Sequence, residues 1–236
     1  MIDISAKPLK HTSLRSIAVS TGISILLMGV IAGVVMGLLF TPLFTFQKSS
    51  EVQAYLMENQ SGFRFGILGW IAILICDIVA AWGLYVFYKG RNNEISLLTA
   101  LFRLVYAAIL GTAICFLIAS LPLISSVQHP GNTEPLVMYI KAFQQIWSFG
   151  LIIFGLHLLG VALLVFQRKV VFYLLSGLLL LAGFGYIIIH AGELFVPDFK
   201  ELRIFLETLF MAPMILGEIG LALWLLVKGG RRGSAL

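Results

Sequence analysis

The chain has 236 residues, 60% of them hydrophobic and 11% charged, and a mean hydropathy of +1.01. Soluble domains carry about 25% charged residues, so a water-soluble core is excluded. The net charge of +5 does not mark a nucleic-acid binder, because the basic residues stand in short clusters at the ends of apolar runs and not along one face.

A membrane-crossing helix needs about 20 apolar residues, and six stretches supply them: 17–40, 65–88, 96–121, 143–166, 171–195 and 204–227. The sequence therefore predicts an all-α, polytopic membrane protein: a bundle of six transmembrane helices in a single membrane domain, 1–236, with both termini on one side. The first stretch follows Lys7, Lys10 and Arg15, as the apolar part of a signal peptide would. Its 24 uncharged residues exceed that length and no small-residue cleavage site stands out, so it is expected to stay as a span. Thr41-Pro42 is expected to end it. Within it Gly29, Gly33 and Gly37 recur at four-residue spacing, a stripe predicted to let another helix approach closely. The segment 51–64 carries a weak pattern for a short interfacial helix.

Lys89, Gly90 and Arg91 turn the second span into the third, and His129, Pro130, Gly131 and Asn132 mark the loop after the third. Arg168-Lys169 and Val196-Pro197-Asp198 mark the next two turns, and Pro213 is expected to bend the last span ahead of Glu218. Ten basic residues fall on the side of the termini: Lys7, Lys10, Arg15, Lys89, Arg91, Arg168, Lys169, Lys228, Arg231 and Arg232. Five fall on the other: Lys48, Arg64, Lys141, Lys200 and Arg203. The positive-inside rule then predicts cytoplasmic termini.

Charges inside a span are costly and face a partner or a cavity. At the helical rise, Asp77 lies about 18 Å from the basic end of the second span and Arg103 about 10 Å above the same surface. His157 and Glu218 count to about 15–17 Å from that side. The four are expected to form one polar layer, with Arg103 flanked by Asp77 and Glu218, and His157 or a bound cation balancing the remaining charge. Ala80, Ala81, Ala100, Ala107 and Gly160 lie near them at three- or four-residue spacing, where they permit close packing. Such a layer either fixes helix register or handles a ligand or ion.

A second polar set is expected at the opposite membrane surface: Gln144, Gln145 and Trp147, with Tyr186, His190 and Glu193. Helix ends at an interface ordinarily collect such residues. Asp77, His157 and Glu218 offer at most an incomplete metal set, and no G-x-S-x-G, H-E-x-x-H, P-loop or dinucleotide fingerprint is found. No cofactor, metal or catalytic residue is assigned on this pattern. Cys76 and Cys115 are read as small packing residues within spans.

The stretches CDIVAAWGLYVFYK, ALFRLVYAAIL, FGLHLLGVALLVFQ, LSGLLLLAGFGYII and GEIGLALWLLVKG resemble the bacterial membrane proteins grouped as domain of unknown function family 4386. The resemblance runs from about residue 66 to 229 and is most specific around His157 and around Glu218 and Trp224. It implies a six-helix protein of the bacterial cytoplasmic (inner) membrane and carries no activity with it. Asp77, Arg103, His157 and Glu218 match the family's charged and polar positions. Val161 and Gln167-Arg168-Lys169 depart from its pattern of an aromatic and a following proline. The expected function is binding or translocation of a small solute, lipid or ion, with protonation of Glu218 or His157 as the coupling event. An intramembrane lipid-modifying enzyme and a regulatory or structural subunit stay open beside it. Membrane lipids are the expected partners and nucleic acid is not; the oligomeric state is left open.

Overall fold

The computed structural model describes residues 13–46, 49–126 and 133–231. Lys7, Lys10, Lys48, Arg232 and the turn at 129–132 lie outside the described residues. Among those described there is no strand, and six helices are long and apolar enough to cross a membrane. The helices are α1 (Leu14–Val34), α2 (Thr41–Thr45), α3 (Ser49–Glu58), α4 (Gln60–Tyr88), α5 (Asn93–Ser126), α6 (Thr133–Val165), α7 (Val170–Phe195) and α8 (Lys200–Val227), with a π-helical turn, Val35–Phe40, joining α1 to α2. In lipid a helix satisfies its own backbone, which is why these apolar runs are continuous helices. Proline is tolerated inside two of them, Pro122 in α5 and Pro213 in α8.

Each long helix packs on the next, α4 on α5, α5 on α6, α6 on α7 and α7 on α8, while α1 packs on both α4 and α8. The six spans thus close into a ring. Its outer surface exposes large apolar side chains such as Leu38, Ile75, Trp82, Phe184 and Leu216, a coat that suits lipid and not water.

Thr41-Pro42 does not end the first span; the helical path widens by one residue and continues to Thr45. Pro42 has no N–H to return to the Leu38 carbonyl. The Tyr55 hydroxyl of α3 donates instead to the carbonyls of Leu38 and Leu39, at 3.4 and 3.1 Å. Burial pushes the Tyr55 phenol above its ordinary value, so it stays a donor. Helix α3 holds that tyrosine in place by burying Val52 and Leu56.

On the face of the termini, basic side chains close helix ends. Arg15 donates to the carbonyls of Leu225 (3.1 Å), Gly229 (2.8 Å) and Leu226, in the last turn of α8 and two residues past its end. Arg91 donates to the Phe166 carbonyl beyond the end of α6. Both satisfy acceptors that a helix C-terminus leaves open, where positive charge also suits the helix dipole. Gly230, at φ +67°, lies against Leu14 and Arg15 so closely that a Cβ there would meet their backbone at 2.7 Å.

The glycine stripe of the first span is not an internal packing face. A Cβ built on Gly29, Gly33 or Gly37 meets nothing within 4 Å. Cys115 likewise faces outward, whereas Cys76 is buried.

Candidate functional site

Arg103 enters the ring from α5 and is 1% exposed. Its Nε and Nη2 donate to one oxygen of Asp77, Oδ1, at 3.0 and 2.7 Å. Nη1 lies 3.0 Å from His157 Nε2, Nη2 is also 3.2 Å from the Met28 sulfur, and the guanidinium carbon stands 5.3 Å from the centre of the Phe154 ring. Four helices, α1, α4, α5 and α6, are joined through this one side chain. Buried Ala80, Ala81, Ala100 and Ala107 leave room for it.

A guanidinium has donors only, so His157 Nε2 accepts. The ring proton is therefore on Nδ1, which donates to the Thr99 carbonyl at 2.9 Å. Gly160 makes that bond reachable: Thr99 packs directly over it, in the space a Cβ would take. His157 is thus a neutral acceptor for Arg103 and does not supply the second positive charge. Both of its ring nitrogens are engaged, which leaves no lone pair for a metal shared with Asp77 and Glu218.

Glu218 does not flank Arg103. Its hydrogen-bond partner is the Tyr186 hydroxyl, at a long 3.5 Å, and it stays partly exposed toward a cavity of about 370 Å³. All six spans contribute to the cavity wall. Asp77 and Glu218 lie on it, and so do Gln144, Trp147, Tyr186, His190 and Glu193 of the second polar set. What the sequence presents as a layer and a separate rim is one continuous space. Gln145 lies outside that wall.

At the end of the cavity away from the termini the polar groups form a chain. His190 Nδ1 lies 2.8 Å from Ser148 Oγ, which donates to Glu193 Oε2 at 3.1 Å. Arg203 of α8 pairs with Glu193 through Nη1 and with Glu207 through Nε, the latter at 2.7 Å. Aromatic rings form the sides: Trp70 and Trp147 meet edge to face at 5.0 Å, Tyr106 and Phe154 lie 4.9 Å apart, and Phe154 and Tyr186 meet at 5.2 Å. The Nε1 donors of Trp70 and Trp147 are enclosed without an acceptor at hydrogen-bond geometry.

Several of these residues carry no polar-layer signal in the sequence. Ser148, Thr99, Trp70 and Tyr106 are unremarkable in a span, and Arg203 reads only as a loop charge. The i,i+4 spacing of Arg203 and Glu207 is the one local sign that could have drawn them in. Among the described residues no three His, Cys, Asp or Glu side chains gather as a metal set.

The family described as Domain of unknown function (DUF4386) matches residues 20–229. An uncharacterized protein of Archaeoglobus fulgidus is 32% identical over 165 residues, which cover 70% of this chain and 84% of the relative. No solved structure matches.

Proposed function

The chain belongs to the DUF4386 family, and from the cavity inside its helix ring we propose that it binds or translocates a small solute, lipid or ion across the membrane. One observation carries this reading: a space of about 370 Å³, within the size range of small-molecule sites, joins polar residues at mid-span to polar residues at one end of the ring. Arg103 bonds both Asp77 and His157 through its three guanidinium nitrogens, and the trio serves as the frame. Glu218 is the wall carboxyl without an ion pair among the described residues, and in this reading it takes the coupling proton; His157, committed to Arg103 and Thr99, does not.

We place the protein in a bacterial cytoplasmic membrane with both termini inside. The support is the excess of Lys and Arg on the terminal face and the family resemblance. The cavity then communicates with the outer side.

A cysteine at Leu151, a buried residue on the wall, tests the pathway when Cys76 and Cys115 are replaced by alanine. A membrane-impermeant thiol reagent added from the side opposite the termini is expected to modify Leu151→Cys in vesicles. Absence of modification in folded protein would remove the solute pathway.

A further inference from the structure

The wall of the cavity also limits the chemistry of what enters it, and the following step rests on the binding reading above. Asp77 is offset by Arg103. Arg203 faces two carboxylates, Glu193 and Glu207, which leaves one negative charge in excess at the outer end. Among the described residues Glu218 has no basic partner within ion-pair distance and a single long hydrogen bond from Tyr186. The ionised wall is therefore net negative, and its carboxylate at mid-span is the least satisfied.

Around that carboxylate the remaining wall is aromatic. Trp70, Tyr106, Trp147, Phe154 and Tyr186 line the same space, and the negative faces of such rings attract cations. The volume of about 370 Å³ is far more than a bare ion or a single water needs, a water's share of the liquid being about 30 Å³.

We propose that the cavity is a site for an organic ammonium group, held by Glu218 and the aromatic wall. The group is a free amine or quaternary ammonium solute, or the ammonium head of a zwitterionic lipid; the chemistry recognised is the same.

Acetylcholine and its neutral isostere 3,3-dimethylbutyl acetate differ in little but the charge and serve as probes on the purified full chain. Binding is read by tryptophan fluorescence, since Trp70 and Trp147 lie on the wall, and by thermal stabilisation. Acetylcholine is expected to bind saturably and at least about tenfold more tightly than the isostere. Glu218→Gln is expected to erase that preference while leaving the isostere unchanged. Release of copurified zwitterionic lipid by the probe would support the headgroup source, and binding without release the free solute. Equal binding of the two probes to the unmodified protein would overturn the ammonium assignment, even if Glu218→Gln fails to fold. Failure of acetylcholine to bind would overturn it too. If Leu151→Cys is still modified, the pocket itself stands; if it is not, both readings fall.

Discussion

Arg103 makes contacts that no other cation can copy. Nε and Nη2 grip one Asp77 oxygen while Nη1 reaches His157, a fork that a lysine ammonium lacks. Removing one side of a buried ion pair leaves the other charge uncompensated, at a cost of about 3–5 kcal/mol. Arg103→Met and Asp77→Leu are each expected to lose stability on that order, whereas the double variant recovers much of it. Unfolding of all three in one detergent measures the coupling, and strictly additive losses would mean the pair does not hold the helices. At His157 the bond pattern requires hydrogen on Nδ1. Nitrogen NMR of labelled histidine should show that tautomer, and hydrogen on Nε2 would contradict the geometry.

Glycines separate two kinds of helix face. Gly160 lies beneath Thr99, and a side chain there would push α5 from α6 and lengthen the His157–Thr99 bond. Gly33 meets nothing, although the sequence gives it the more conspicuous motif. Gly160→Ala is expected to destabilise by about 1–3 kcal/mol, the range for overpacking, and Gly33→Ala to stay within about 0.5 kcal/mol of the parent. Melting temperatures compare them directly; an equal drop at both would show that the stripe is packed after all. At the π-turn, Tyr55→Phe removes the donor that serves Leu38 and Leu39. Its loss should cost about 1 kcal/mol, as for a typical hydrogen bond, and expose the turn to faster hydrogen exchange.

At the scale of the whole molecule, the sequence made the spans legible because length and hydropathy alone decide what can cross lipid. It made Asp77, Arg103, His157 and Glu218 legible because each stands alone in an apolar run. It did not reveal which of the four bond, since depth counting fixes height along a helix and not rotation around it. Glu218 thus shares a depth with the trio yet turns toward Tyr186. Nor did it reveal the ring, because closure depends on α1 meeting α8, two helices far apart in the chain. Arg15 sits on that seam. It counts as one more basic residue for topology, but its guanidinium holds the carbonyls of Leu225, Leu226 and Gly229. A glutamine in its place reaches fewer acceptors and brings no charge to the helix end. Arg15→Gln is therefore expected to open the seam locally: amides in the last turn of α8 should exchange faster, while those around Arg103 keep their protection. Uniform loss of protection would mean that ring closure and the buried trio unfold as one unit, and unchanged exchange would mean that apolar packing alone closes the ring.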